Sequence, residues 1–204
     1  MGSILLNKAK TGKFILCILG ALALVLLDRL TKVWAENVLR ENGPIELIKR
    51  VLELRYTQNT GIAFGLFQGL GVVLIILTVA LSVALIVLLW KTPAQKHFLP
   101  LNIIFTMILG GALGNLWDRI FQSYVTDFIY ISLINFPIFN VADICVTLGI
   151  IALLFYMLFF YKDKELLEVF SFRKKKEEDA AKEEAPKEET AAEETPPEPP
   201  EEKE

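Results

Sequence analysis

Four apolar stretches, each close to the length that crosses a membrane, set the main constraint on how this chain folds. They cover residues 14–34, 66–90, 98–117 and 138–161. Each offers about the 20 residues that a helix needs to cross roughly 30 Å of hydrocarbon. Apolar residues make up 53% of the sequence and fall in blocks rather than at amphipathic spacing, which argues against a soluble fold. We therefore predict an all-α membrane protein, a bundle of four transmembrane helices.

The distribution of lysine and arginine predicts the orientation of this bundle. Lysines precede the first stretch, lie between the second and third, and follow the fourth: Lys8, Lys10, Lys13, Lys91, Lys96, Lys162 and Lys164. Four basic residues also lie in the first connection, so most of the basic residues, but not all of them, are on the predicted cytoplasmic side. Because basic residues accumulate in cytoplasmic loops, we expect both termini in the cytoplasm. A signal peptide over residues 1–27 is disfavoured, because Asp28 and Arg29 stand where its cleavage site belongs.

The C-terminal segment differs in composition from the rest of the chain. Residues 173–204 hold 7 Lys/Arg and 13 Asp/Glu, are rich in proline and have almost no large apolar side chains. Such a segment cannot offset its chain entropy by burial. We divide the chain into a basic cytoplasmic N-terminus (1–13), a four-helix membrane domain (14–165) and a disordered, mainly acidic cytoplasmic tail (166–204).

Polar residues interrupt three of the apolar stretches at one membrane face. Threading the helices alternately through a bilayer puts six of them at the extracytoplasmic end: Asp28, Lys32, Asn115, Asp118, Asn140 and Asp143. A charge at the helix centre costs about 2.5 kcal/mol or more and is usually retained for function. An ion pathway would need acids at several depths, so a single layer favours chemistry near the outer leaflet.

The spacing of these residues supports a built site. Asp28 and Lys32 are four residues apart with the acid first, the favourable order for a helical ion pair, and a structural clamp is our preferred interpretation of them. Gly110 and Gly114 let another helix approach closely, which indicates packing. Two further groups each share a helical face: Asn115 with Asp118 and Arg119, and Asn140 with Asp143.

The two long connections lie on the outer side. Residues 43–57 alternate apolar and polar side chains, which predicts a short strand or hairpin at the membrane interface. Residues 120–138 are rich in aromatic side chains, as is typical of a headgroup-level belt, and Asp127 lies among them at the depth of Asp143. Two adjacent carboxylates can share a proton and activate water against a carbonyl. Spacing alone leaves open whether Asp127 instead caps a short turn.

Other hydrolytic sites cannot be assembled from the sequence. His97 is the single histidine, and Cys17 and Cys145 fall inside apolar stretches with no CxxC pattern. Zinc sites and Ser/His/Asp triads are therefore excluded. We expect no metal site.

Five short motifs, in order along the chain, resemble those of the lipoprotein signal peptidase (signal peptidase II) family. They are DRLTK (28–32), NTGIAFG (59–65), GGALGNLWDR (110–119), VTDFI (125–129) and FNVAD (139–143). The resemblance covers about residues 14–161 and implies the family's four-helix topology. It implies that Asp127 and Asp143 are the catalytic pair. The implied support and substrate-binding residues are Asp28, Lys32, Asn59, Gly61, Asn115, Asp118, Arg119 and Asn140.

The resemblance also implies an activity: an aspartic endopeptidase that removes signal peptides from diacylglyceryl-modified prolipoproteins, cutting before the lipidated cysteine. The site would face the outer leaflet of the bacterial cytoplasmic (inner) membrane, with membrane phospholipid around it. It implies a cofactor-free monomer with no nucleic-acid partner, inhibited by globomycin-type cyclic peptides. Ser123 departs from the family, which commonly has glycine there. The alternative is a small ion-coupled transporter or a lipid-binding scaffold, disfavoured because no acid lies at mid-membrane and no internal duplication is evident.

Reporter fusions test the orientation. Fusions after Lys91 and within the tail should report a cytoplasmic location, and fusions within 43–57 an extracytoplasmic one, because basic residues hold the former inside. Paired reporters that are active on opposite sides of the membrane measure this. A tail fusion that reads extracytoplasmic would contradict the placement of the site.

Overall fold

The computed structural model describes residues 2–61, 70–160 and 169. Its elements in chain order are α1 (Gly2–Asn42), β1 (Ile45–Ile48), β2 (Leu52–Asn59), α2 (Gly71–Lys91), α3 (Leu99–Gln122), β3 (Val125–Tyr130) and α4 (Val141–Phe160). Within these ranges, four helices are long and apolar enough to cross a membrane. The predicted fold class, a four-helix membrane protein with a small β-region, is confirmed. The disorder predicted for the acidic tail concerns residues outside the described part.

Helix α1 is much longer than the apolar stretch that predicted it. The stretch ends at residue 34, whereas the helix continues to Asn42, because neither glycine nor proline interrupts the polar residues between them. Gly43 ends the helix with a φ of 79°, its N–H bonds to the Leu39 carbonyl at 3.1 Å, and Pro44 follows. Glycine adopts this left-handed conformation without a Cβ penalty. The last two turns of α1 therefore extend beyond the apolar span.

The other predicted spans also need correction at their ends. Helix α2 begins at Gly71 rather than 66, and residues 66–69 lie outside the described part. Helix α3 continues five residues past its predicted end at 117 and stops at Ser123, whose φ is 65°. Glycine favours that left-handed conformation, which gives a physical reason for the glycine expected there. Helix α4 starts after residue 138 because Phe139 still pairs with Ile129 as a β-bridge.

The β-region is one antiparallel sheet of three strands in the order β1-β2-β3. The hairpin of β1 and β2 begins inside the predicted range 43–57 and continues two residues past it, to Asn59. Strand β3 pairs with β2 so that Thr57 lies opposite Asp127 and Asn59 opposite Val125. This register brings two predicted site residues, Asn59 and Asp127, to the same end of the sheet.

Strand β3 was not predicted. We expected residues 120–138 to be an aromatic belt in which Asp127 could cap a turn, but Asp127 lies in the middle of a strand. The sequence VTDFIY has the β-branched and aromatic residues that favour strands. Its first four residues are all buried, because both faces of the strand are covered, so it lacks the alternation that marks a half-exposed strand.

Helix α3 is the centre of the bundle, with buried residues on every turn from Leu101 to Asp118. Its glycines allow close packing: a Cβ at Gly110 would lie 2.8 Å from Leu24 of α1, and one at Gly111 would overlap the Ala142 carbonyl of α4. Val169 is only 3% exposed and belongs to the same apolar core.

The contact at Gly111 predicts a sharp difference between two alanine substitutions. Gly111→Ala should lower the stability of the folded protein by about 1–3 kcal/mol, because the added methyl has no room between α3 and α4. Gly12→Ala is the control, since Gly12 is exposed on a helix with nothing within 4 Å of an added Cβ. Thermal unfolding in detergent measures both. Equal stability of the two variants would contradict the tight α3–α4 contact.

Candidate active site

A cavity of about 430 Å³ lies between β3, the start of α4 and the last turns of α3. Asp127 and Asp143 both line it. Its other described polar lining residues are Asn59, Asn115, Arg119 and Thr147, and its apolar ones are Val125, Phe136, Pro137, Ile138, Phe139, Ile144, Val146 and Leu148. The cavity is therefore acidic at one end and apolar along the remainder.

Asp127 enters the cavity from β3 and is 2% exposed. Its Oδ2 accepts a hydrogen bond from Asn59 Nδ2 at 2.9 Å, and its Oδ1 accepts one from Asn140 Nδ2 at 2.7 Å. The strand pairing places Asn59 diagonally across from Asp127, within reach of its side chain. Both carboxyl oxygens are thus held by amide donors from two different elements.

Asp143 enters the cavity from the first turn of α4. Its Oδ2 accepts the backbone N–H of Asn140 at 3.1 Å, while the Asn140 Oδ1 accepts the backbone N–H of Asp143 at 2.9 Å. This reciprocal pair is a capping box, which satisfies two N–H groups at the helix start. The N-x-x-D spacing of residues 140–143 signals such a box, and the sequence analysis did not use it. The same bonds that start α4 also fix Asp143.

Two asparagines join the acids to each other. Asn140 contacts both: its Nδ2 donates to Asp127 and its backbone N–H to Asp143. Asn115 donates its Nδ2 to Asp143 Oδ1 at 2.7 Å, and its Oδ1 accepts from Asn140 Nδ2 at 3.1 Å and from Lys32 Nζ at 3.0 Å. Asn140 and Asn115 therefore connect the two acids to each other and to Lys32 of α1.

A buried ion cluster lies behind this network. Lys32 has no exposed side-chain surface, and its Nζ is 2.7 Å from Asp28 Oδ2 and 2.9 Å from Asp118 Oδ2. Asp28 Oδ1 accepts the backbone N–H of Ala142 at 3.0 Å, and Asp118 Oδ1 pairs with Arg29 at 2.7 Å. None of these charged groups is a described lining residue of the cavity. Their contacts tie α1 to α3 and α4, as the clamp interpretation expects.

Asp118 and Arg119, which are adjacent on α3, have different partners. Arg119 lines the cavity with Asn115, and it donates to the Gly61 carbonyl at 3.1 Å. Asp118 turns into the ion cluster and also accepts the Thr126 backbone N–H at 3.2 Å. Asn115 has a neighbour in common with each of them: with Asp118 it contacts Lys32, and with Arg119 it lines the cavity.

Gly61 connects the end of β2 to this side of the cavity. Its backbone N–H donates to the Asn59 Oδ1 at 3.0 Å, while its carbonyl accepts from Arg119. The Asn59 amide is thereby oriented so that its Nδ2 points to Asp127. Across residues 2–61, 70–160 and 169, no three His, Cys, Asp or Glu side chains are grouped so that they could hold a metal ion.

The surroundings of Asp127 favour its protonated form. Burial, followed by the negative charge of Asp143, raises the pKa of Asp127 from 3.8 to about 7. The hydrogen bonds from Asn59 and Asn140 and the charge of Lys32 lower the pKa by less. A carboxyl group with a pKa close to neutral can hold or release a proton under ordinary conditions.

Sequence reasoning missed two parts of the site. Glu36 of α1 accepts hydroxyl hydrogen bonds from both strands that lead to Asp127, and its position four residues after Lys32 could have indicated it. The apolar wall formed by residues 136–139 and by Ile144 and Leu148 was also missed. Its parts come from a loop and a helix, so no local pattern marks them.

The fold and the site together define a membrane-embedded protein with two acids in a cavity at one end of a four-helix bundle. Residues 20–159 match the family described as signal peptidase (SPase) II. The chain belongs to the signal peptidase II family. It is therefore a peptidase of that type and a bacterial multi-pass membrane protein.

Individual relatives agree with the family match. The chain is 42% identical over 137 residues to the lipoprotein signal peptidase of Clostridium novyi, covering 66% of this chain and 91% of that one. It is 38% identical over 156 residues to the lipoprotein signal peptidase of Chlorobaculum parvum, covering 70% and 92%. A bacterial membrane enzyme solved by the in meso method at 1.9 Å resolution superposes with a TM-score of 0.63 at 29% identity, covering 71% of this chain and 93% of that one.

The raised pKa of Asp127 predicts how stability depends on pH. Since the folded state favours the protonated carboxyl, this stabilisation is complete below about pH 4 and is lost as the pH rises through about 7. Raising the pH from about 5 to about 8 should therefore lower the melting temperature of the wild-type protein relative to Asp127→Asn, which cannot titrate. Thermal unfolding of both proteins in detergent measures this. A pH-independent difference between them would contradict the raised pKa.

Proposed function

We propose that this protein is an aspartic endopeptidase that removes the signal peptide from diacylglyceryl-modified prolipoproteins, cutting before the lipidated cysteine. The observation that carries the proposal is that Asp127 and Asp143 line one cavity and both bind Asn140. Two carboxyl groups that share a proton supply the acid and the base that peptide hydrolysis requires. The names of the relatives supply the class of substrate.

The two acids would divide the chemistry between them. Asp127, whose pKa lies close to neutral, carries the shared proton and polarises the scissile carbonyl. Asp143 takes a proton from the attacking water. The tetrahedral intermediate then collapses as a proton passes to the leaving amine. After the carboxyl and amine products depart, the two acids together hold one proton, as they did before the reaction.

Asn140 and Asn115 keep the acids in position without taking part in proton transfer. Their amide N–H groups bind one oxygen of each carboxyl group, and Asn59 and the Asn140 backbone bind the other. Each carboxyl oxygen can form more than one hydrogen bond, so both acids keep positions for water and substrate. Amides do not titrate, so the network holds its arrangement across the pH range in which Asp127 changes charge. Arg119, which lines the cavity, supplies positive charge beside the two acids.

The apolar wall of the cavity suits a lipid-modified substrate. It runs along residues 136–139 and the first two turns of α4, where Leu148 is 51% exposed. In a bilayer this exposed side of α4 faces lipid. Acyl chains on a cysteine could therefore stay in hydrocarbon while the adjacent peptide bond reaches Asp127 and Asp143, and burial of apolar surface would stabilise that arrangement.

The proposed setting follows from the charge distribution of the chain. The site lies near the extracytoplasmic leaflet of the bacterial cytoplasmic membrane, with both termini in the cytoplasm and phospholipid around the bundle. The protein works as a monomer without a cofactor, and globomycin-type cyclic peptides inhibit it by occupying the cavity. A transporter or lipid scaffold is less consistent with the arrangement, because the buried acids of the described residues lie at one end of the bundle, not along a path through it.

Removing either acid tests the mechanism. Asp127→Asn and Asp143→Asn keep the side-chain volume but cannot transfer a proton, so each should lower the cleavage rate by about 10²–10⁴-fold or more. The double variant should be hardly slower than either single one, because the two acids act as a unit. Cleavage of a purified diacylglyceryl-prolipoprotein is measured on equal amounts of folded protein.

Two comparisons make this experiment decisive. Glu41→Gln, an exposed acid on α1, should cleave at the wild-type rate. Asp118→Asn should mainly lower the folded yield, because the Asp118 carboxylate pairs with Lys32 and Arg29 rather than facing the cavity. A folded Asp127 or Asp143 variant that keeps a tenth of the wild-type rate would mean that the pair is wrongly assigned.

A further inference from the structure

Glu36 lies on α1 one turn beyond Lys32 and faces the sheet. Its Oε1 accepts three hydroxyl groups: Tyr56 at 3.5 Å, Tyr124 at 3.3 Å and Thr126 at 3.3 Å. Tyr56 belongs to β2, Thr126 to β3, and Tyr124 comes directly before β3. One carboxylate oxygen of α1 therefore contacts both β2 and the segment that contains β3, the strand that carries Asp127.

The strand carrying Asp127 is held from its opposite face. Successive side chains of a strand point to opposite faces. Asp127 lines the cavity, whereas Thr126 turns to Glu36 and Phe128 packs against Leu39 of α1. Glu36 is not a described lining residue of the cavity. Any influence of Glu36 on the reaction is therefore indirect, through the strands that it contacts.

The residue next to Asp127 is fixed at two points. The Thr126 hydroxyl donates to Glu36, and its backbone N–H donates to Asp118 at 3.2 Å. Tyr124, the second hydroxyl donor to Glu36 from this segment, also keeps its proton. A hydrogen bond with Tyr56, followed by burial, raises the pKa of Tyr124 to about 12. The Tyr124 hydroxyl thus stays neutral and able to donate at physiological pH.

We propose that Glu36 is a positioning residue for the cleavage reaction, holding β3 on α1 so that Asp127 keeps its place in the cavity. The role requires an oxygen that accepts hydroxyl hydrogen bonds and does not require contact with substrate. The inference rests on the proposed function, in which Asp127 takes part in catalysis. A displacement of about 1 Å at a catalytic group can cost about 10²-fold in rate, so modest loosening of β3 should be measurable.

Three variants test this on cleavage of a diacylglyceryl-prolipoprotein by the full-length protein. Glu36→Leu removes the acceptor and should lower kcat by about 10- to 100-fold with little change in KM, because the substrate does not contact this residue. Glu36→Gln keeps an acceptor oxygen and should restore kcat to within about 3-fold of wild type. Glu41→Leu, the same change at an exposed position of α1, should match the wild type.

Hydrogen exchange supplies a readout that needs no substrate. Backbone amides of residues 125–130 should exchange faster in Glu36→Leu than in Glu36→Gln, because only the first releases β3 from α1. If Glu36→Leu fails to accumulate, Thr126→Val decides in its place: it removes one donor at nearly constant volume and should lower kcat several-fold.

The outcomes separate this inference from the proposed function. A folded Glu36→Leu protein with wild-type kcat, a Glu36→Gln protein as slow as Glu36→Leu, or a Thr126→Val protein with unchanged kcat would overturn the positioning role. A wild-type protein that cuts no lipidated substrate would instead contradict the proposed function. In that case the exchange rates of residues 125–130 still decide whether Glu36 holds β3.

Discussion

The ion pairs of the buried Lys32 ammonium group are the interactions on which the rest of the site depends. It lies between Asp28 and Asp118 at 2.7 and 2.9 Å and donates to the Asn115 carbonyl oxygen at 3.0 Å. An ammonium group without exposed surface is tolerated only while every partner stays in place, since losing one leaves an uncompensated charge. Helices α1 and α3 are thereby locked together. The Asn115 amide is also forced into the orientation that presents its N–H groups to Asp143.

Interactions that fold the protein and interactions that arrange the acids are largely the same. Asp28 accepts the Ala142 backbone N–H at the start of α4, and the capping box of Asn140 with Asp143 satisfies the neighbouring N–H groups. An unsatisfied helix start would be costly in a bilayer, so the sequence needs polar groups here for folding alone. Asp143, one of these capping groups, also lines the cavity. Residues at this end of α4 therefore cannot be classified as purely structural or purely functional.

Elements marked by a pattern within one segment were predicted from the sequence. Elements that depend on contacts between distant segments were not. Four apolar blocks gave the helices, and alternation gave the hairpin within 43–57, because each pattern is contained in its own segment. Strand β3 was missed because burial on both faces removes the alternation. Spacing placed Asn115 and Asp118 on one face of α3, but it cannot show that Lys32 of α1 contacts both of them. The meeting of Asp127 with Asn59 depends on the β2–β3 register, which no pattern within a single segment predicts.

Asp127 and Asp143 occupy backbones that differ in electrostatic character. Asp143 lies in the first turn of α4, where the partial positive charge of a helix N-terminus stabilises a negative side chain. Asp127 lies on a buried strand, and strands have only small net dipoles. Burial and the neighbouring charge then dominate at Asp127 and raise its pKa to about 7. A helix start beside a buried strand thus gives two chemically identical acids different electrostatic surroundings.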